Sequence, residues 1–300
     1  MLVRVRDDRG RTITMPTAPA RVVSLVPSDT LNACAVGAAS ALVGRTDWCV
    51  LPEDVVSKIP SVGGTKNPRV DDICDLRPDL VIANQEENTR GDLETLAQRG
   101  VRVLVAFPKR VADGLAHLAR LARVFGTEGD AAVKDVIRRG YDAHRRAEAA
   151  RAETAPLRAF CPIWMDPLMT INGATFISDM LDLAGAQNAF ADRERRYPLA
   201  ADIGGAKPKD PGERDVRYPR VTLDEVVARK PELVILPDEP HPFSEADADV
   251  FRALPIATRV VRTDGKDLCW YGARSVDGID RVRAMIDQLR GSVASKPKTA

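Results

Sequence analysis

The chain has 300 residues, 44% of them hydrophobic and 29% charged, and its 44 Lys and Arg against 43 Asp and Glu leave a net charge of +1. That length can bury a large core and suits two domains, while the balanced charge argues against nucleic acid or an anionic membrane as the main partner. No apolar run approaches the ~20 residues of a membrane helix, and five cysteines without a CxxC pair make neither a zinc set nor a complete disulfide framework.

In chain order, residues 2–15 read as a short hairpin turning at Asp8-Arg9-Gly10. The apolar run Arg21 to Val26 predicts a buried strand ended by Pro27, and Ser28-Asp29-Thr30 offers N-cap residues for a helix closing at Gly37. Ala41 to Val43 predicts a second strand, running into the loop Arg45-Thr46-Asp47-Trp48-Cys49. A helix over Val70 to Leu76, a strand over Leu80 to Ala83, a helix over Leu93 to Arg99 and a strand over Val101 to Ala106 follow. Alternation of this kind predicts parallel sheet covered by helices.

Thr127-Glu128-Gly129-Asp130 has the form of a capping box, and from there to about Glu153 only Gly140 interrupts a helical pattern. At ~1.5 Å per residue such a helix is roughly 35–40 Å long. The expected organisation is an N-terminal lobe over 1–126, a connecting helix over 127–154 and a C-terminal lobe over 155–300. In the second lobe Leu157 to Ile163 and Leu233 to Leu236 predict strands, and Phe176 to Leu183 a helix. Residues 200–219 predict a mobile insertion, Gly278 to Gly291 the last helix and Ser295 to Ala300 a frayed tail. The N-terminus lacks a basic stretch, apolar segment and small-residue cleavage site, so a native start at Met1 predicts a cytoplasmic protein, and removal of a leader an extracytoplasmic one.

The two halves repeat each other. Leu-Arg-Pro-Asp-Leu-Val-Ile at 76–82 returns as Arg-Lys-Pro-Glu-Leu-Val-Ile at 229–235, with Asp71 and Asp224 before it and Glu86 and Glu239 after it in the same register. Two diverged copies of one α/β unit imply two lobes. Trp48, Trp164 and Trp270 each fall where a strand is expected to end, and ligands of α/β sheets gather outside those ends. Met169 follows Trp164, and Tyr271 and Arg274 follow Trp270. His241 is a lone potential metal ligand after the repeated strand, whereas His117 and His144 sit in helical patterns as structural residues. No P-loop, GxGxxG after a strand or GxSxG elbow occurs, so no catalytic residues are assigned and a non-enzymatic role is expected.

Arg21 to Ser28, Val43 to Cys49, Pro60 to Gly64 and above all Leu76 to Val81 together resemble the class III substrate-binding proteins, helical-backbone metal receptors that carry vitamin B12, haem and ferric siderophores to ABC importers. The likeness covers almost the whole chain, and Asp47-Trp48-Cys49 and Trp164-Met165-Asp166-Pro167 make it most similar to the cobalamin-binding branch. It implies an α/β fold: two Rossmann-like lobes with central parallel sheets, joined by one long α-helix, and a ligand cleft between the lobes. It also implies a bulky metal chelate as ligand, no intrinsic cofactor and no protein-held metal. Carried over residue by residue, the ligand contacts are Ser28, Trp48, Gly64, Glu87, Trp164, Met169, Tyr197, Trp270 and Tyr271, to which His241 and Arg274 are added from the residues themselves. Glu86 and Asp224 are the candidates for docking on an importer permease, and a monomer is expected. Cobalamin or another corrinoid is the first expected ligand, with a ferric siderophore or haem as alternative. The reading from a different class is a cytoplasmic cofactor-processing enzyme or metallochaperone on the same fold.

Overall fold

The computed structural model describes residues 2–294, and the tail expected to fray at 295–300 lies outside them. Two units emerge, one formed by the chain up to Asp142 with Trp270–Val276, the other by Ala143–Cys269 with the chain from Asp277 on. The first opens with the antiparallel hairpin β1 (Val3–Arg6) and β2 (Thr12–Met15), in which Ile13 and Met15 turn inward. There follow β3 (Val22–Ser24), α1 (Pro27–Ala35), β4 (Leu42–Arg45), α2 (Glu53–Val56), α3 (Val70–Asp75), β5 (Leu80–Asn84), α4 (Arg90–Gln98), β6 (Val103–Ala106) and α5 (Val111–Phe125). Strands β3 to β6 make a parallel sheet in the order β4-β3-β5-β6. Every residue of β3, β5 and β6 is buried, as expected where helices cover both faces of a parallel sheet.

Helix α6 (Ala131–Glu153) passes from the first unit into the second. The second unit contains β7 (Leu157–Phe160), β8 (Pro162–Trp164), β9 (Met169–Thr170), α7 (Phe176–Leu183), β10 (Ala186–Asn188), α8 (Leu223–Arg229), β11 (Leu233–Pro237), α9 (Glu245–Arg252), β12 (Arg259–Thr263), α10 (Lys266–Cys269) and most of α11 (Ala273–Ala294). Its parallel sheet has the order β10-β7-β11-β12, with β8 and β9 paired as a separate hairpin. Each sheet therefore sets its strands in the order second, first, third, fourth, and both units are Rossmann-like.

The repeated phrase does the same work in both. Arg77 and Lys230, equivalent in the repeat, take the left-handed conformation at φ 45° and 47°, which ends the helix before a proline that cannot continue it. One residue past each proline an acid then fastens the first strand of its sheet. Asp79 Oδ2 accepts from the backbone amides of Ala20 and Arg21, both at 2.9 Å, and Glu232 Oε2 accepts from the amide of Arg158 at 2.9 Å. In return Arg21 Nη2 donates to the Leu76 carbonyl at 2.7 Å, and Arg158 Nη2 to the Arg229 carbonyl at 2.9 Å. The acid, the preceding arginine and the buried strand form one recurring clamp.

Several expected boundaries move, each for a local reason. Helix α1 starts at Pro27, whose fixed φ suits the first helical position, so Ser28, Asp29 and Thr30 lie buried inside its first turn and do not cap it. Helix α6 starts at Ala131, after the Thr127–Asp130 turn, with the Asp130 carbonyl accepting from Lys134. Gly140 lies inside the helix, where α6 passes close to α5: a Cβ there would lie 2.6 Å from Leu115 Cδ2. The strand expected over Leu157 to Ile163 breaks at Cys161, and the last helix runs over Ala273–Ala294 rather than 278–291. The insertion at 200–219 is less irregular than its composition suggests. A 3-10 turn over Leu199–Ile203 opens it, and the buried Asp202 carboxylate accepts from Arg193 Nη1 and from the backbone amides of Arg196 and Arg220. No helix among the described residues is long and apolar enough to cross a membrane.

Candidate functional site

In the first unit, the sheet order reverses between β3 and β5, and the loops leaving their carboxyl ends flank that point. Asn88 ties these loops together: its amide donates to the carbonyls of Leu25 (3.2 Å) and Thr65 (2.9 Å), and its oxygen accepts from the Asn84 amide (2.8 Å). Next in sequence to the residues it joins are Gly64, buried before Thr65, and the exposed Glu87, while Ser28 lies buried in the first turn of α1. Trp48 follows β4 and is 65% exposed. Its Nε1 lies 3.8 Å from where a Cβ on Gly64 would sit, ordinary contact distance, whereas the Asn67 side-chain oxygen would lie only 2.3 Å from that Cβ and would have to shift. Glu86 is half-buried, and Asn84 Oδ1 accepts from its backbone amide at 2.7 Å.

Beneath this rim lies a buried polar group that joins distant segments of the same unit. Asp29 is fully buried; its Oδ1 accepts from His117 Nε2 (2.9 Å) and Asn32 Nδ2 (3.2 Å), and its Oδ2 from the Tyr271 hydroxyl (2.8 Å). The Tyr271 oxygen accepts in turn from Asn84 Nδ2 at 3.3 Å, and the His117 and Tyr271 rings meet edge-on at 5.8 Å. Gly272 is required beside them: its φ is +81°, and a Cβ would lie 2.3 Å from Asn32 Oδ1, which accepts from the Ala273 amide. Burial first, and then the Asp29 charge, push the Tyr271 hydroxyl well above its usual range, keeping it a donor.

The second unit presents an aromatic cluster where its own strand order reverses, between β7 and β11. Trp164, 43% exposed, ends β8; its ring lies 5.3 Å from that of His241 in the loop after β11, and His241 packs edge-on to the buried Phe243 at 4.6 Å. Trp164 Nε1 donates to the Asp166 carbonyl at 2.9 Å, and Met169 on β9 is its cross-strand partner. Trp164 is thus a fixed, half-open indole with a thioether and an imidazole beside it. Cys161 marks the end of β7, and burial pushes its thiol up to about 12. A thiol that ionises later when folded stabilises the fold below its ordinary value of 9.0, and that contribution is lost as pH rises from there toward 12. Tyr271 acts in the same direction. Denaturant midpoints are therefore expected to fall between about pH 9 and 11, and Cys161→Ala to make that fall shallower; an unchanged slope in the variant would exclude Cys161 as a source.

The structure brings Trp48 beside Gly64, with Ser28 and Glu87 on the other loops at the carboxyl ends of the same sheet, and it brings Trp164, Met169 and His241 together. Tyr197 stands apart, its hydroxyl donating to the Asp215 carbonyl and its ring 5.6 Å from the Arg195 guanidinium. Trp270 follows the short helix α10 rather than a strand, and it and Tyr271, in the segment that belongs to the first unit, are each only 5% exposed. Arg274 is half-buried in the first turn of α11, and Asp224 is exposed in the first turn of α8. Sequence reasoning missed Asp29, Asn32, Asn84 and Asn88, although a run of polar residues inside the otherwise apolar segment 22–36 was a visible signal. Among the described residues, no group of three or more His, Cys, Asp or Glu could hold a metal ion.

A family model described as periplasmic binding protein matches residues 22–258. The vitamin B12-binding protein of Pectobacterium atrosepticum is 31% identical over 220 residues, covering 68% of this chain and 78% of the relative. Among solved structures, the periplasmic vitamin B12 binding protein BtuF of Vibrio cholerae superposes with a TM-score of 0.71 at 20% identity, over 92% of this chain and 99% of that one. A periplasmic haem-binding protein from Pseudomonas aeruginosa gives 0.69 at 21% identity, over 89% and 92%. At these identities the two structures speak for the fold.

Proposed function

We propose that this chain, which belongs to the periplasmic binding protein family, binds a large metal chelate without transforming it, a corrinoid before any other. The observation that carries the reading is the pair of exposed indoles. In a chain only 5% aromatic, Trp48 follows β4 and Trp164 ends β8, 65% and 43% exposed, and each offers an open flat face for stacking beside the carboxyl ends of strands. Covering roughly 100 Å² of one indole face at ~25 cal/mol per Å² contributes about 2.5 kcal/mol before the costs of association. The relative named for vitamin B12 supports the corrinoid. Haem is the second reading, favoured by the His241 imidazole beside Trp164, a nitrogen donor next to a stacking face.

The same reading makes the chelate a transported cargo rather than a resident cofactor. It makes the protein a partner of an ABC importer, working outside the cytoplasmic membrane. Glu86 after β5 and Asp224 on α8 are the acids offered for docking. The test is titration with cyanocobalamin, haemin and a ferric hydroxamate, followed by tryptophan fluorescence and by melting temperature. Ligand at ~100 times its Kd stabilises by about 2.7 kcal/mol, a shift of several degrees. A shift with cyanocobalamin is expected; a shift with haemin alone would move the assignment to haem, and none with any of the three would overturn the reading.

A further inference from the structure

We propose that the second unit carries a separate oxyanion site, a cavity of about 410 Å³ walled by Arg193, Arg195, Arg196, Lys209 and Arg229. None of its lining residues belongs to the Trp164–His241–Phe243 cluster. Arg193 is buried and spends all five N–H groups within the protein: Nε on Glu225, Nη1 on Asp202 and the Glu194 carbonyl, Nη2 on the carbonyls of Asp202 and Arg220. Arg229 is matched as well, donating to Asp192 and the Ala189 carbonyl while its guanidinium covers the Phe190 ring at 4.5 Å.

Arg195, Arg196 and Lys209 remain, and the only lining acid left to face them is Glu194. The lining carries five cations against Asp192 and Glu194, and the Asp202 and Glu225 carboxylates behind it still leave one positive charge in excess. The nearest carboxylate to Arg195 is Asp202, 3.9 Å away, and its oxygens already accept from Arg193, Arg196 and Arg220. Arg195 Nε is buried without an acceptor. The backbone holds these cations in place: the Arg196 amide donates to Asp202 Oδ1 at 2.6 Å, and the Lys209 amide to the Tyr197 carbonyl at 2.8 Å. The weakly paired Arg195 and the exposed Arg196 and Lys209, on a wall stiffened by Arg193, suit a small ligand with two or more negative charges on oxygen.

The site is read by calorimetric titration of the full chain with inorganic phosphate, pyrophosphate and citrate at low ionic strength. Saturable binding of at least one is expected, weakened about tenfold by Arg196→Gln and by Lys209→Gln, because one charge-assisted hydrogen bond is worth about a factor of ten. Added KCl weakens it further. Lys58→Gln in the first unit makes the same charge change and leaves binding intact. Preference for phosphate and pyrophosphate assigns a phosphate-bearing ligand, and preference for citrate a polycarboxylate. No saturable binding of any of the three, or an equal loss in Lys58→Gln, overturns the site. Chelate binding is titrated separately, so its failure and that of the oxyanion site are distinguishable.

Discussion

Asp29→Ala is expected to destabilise the protein by about 3–5 kcal/mol, read as a lowered denaturant midpoint, because it strips a buried cluster of its shared acceptor. Asp29 has no exposure to solvent, and its two oxygens receive His117 Nε2, Asn32 Nδ2 and the Tyr271 hydroxyl. Removing the carboxylate leaves those donors buried and without their acceptor, at about 1–3 kcal/mol each. Tyr271→Phe removes one donor and keeps the ring against His117, so a smaller loss of about 1–2 kcal/mol is expected. The double variant is expected to cost less than the sum, since both changes delete the same bond. Equal midpoints for Asp29→Ala and the parent chain would show that the cluster does not hold the 270–276 segment in place.

Trp164→Ala and Trp48→Ala are expected to weaken chelate binding by about 2 kcal/mol each, roughly thirtyfold in Kd, as aromatic anchors of binding sites commonly do. Both rings are open to solvent, so the same substitutions are expected to move the denaturation midpoint little, within about 0.5 kcal/mol. That separation of affinity from stability is the signature of a contact made with a ligand. Trp164→Phe keeps a stacking face but loses the hydrogen bond to the Asp166 carbonyl that orients the indole, and an intermediate loss is expected. Unchanged affinity in Trp164→Ala would remove the second unit's cluster from the site; unchanged affinity in Trp48→Ala would do the same for the first unit's rim.

How far these features were legible depends on how local their causes are. The strand Leu80–Asn84 and its counterpart Leu233–Pro237 announce themselves as unbroken apolar runs, and a proline two residues before each marks the end of the helix that precedes it. Helix α7 over Phe176–Leu183 was readable to the residue, because Thr175 supplies a side-chain cap accepting from the Ser178 amide. Asp29 was not readable. The same triplet Ser28-Asp29-Thr30 fits a cap and a first turn equally well, and only Pro27 at the first helical position decides between them.

Residue order alone determined the duplication, the α/β alternation and the family, since each rests on short-range pattern and on a phrase repeated 153 positions later. Tertiary structure alone decided which side chains meet. Asp29 and Tyr271 share a hydrogen bond across 242 residues of chain, and two of the three tryptophans stay open while Trp270, in a loop of much the same composition, is 5% exposed. Burial of a loop residue depends on what folds over it, and hydrogen-bond partners are chosen among groups desolvated together. Neither is a property of the nearest neighbours along the chain, which is where sequence pattern has its reach.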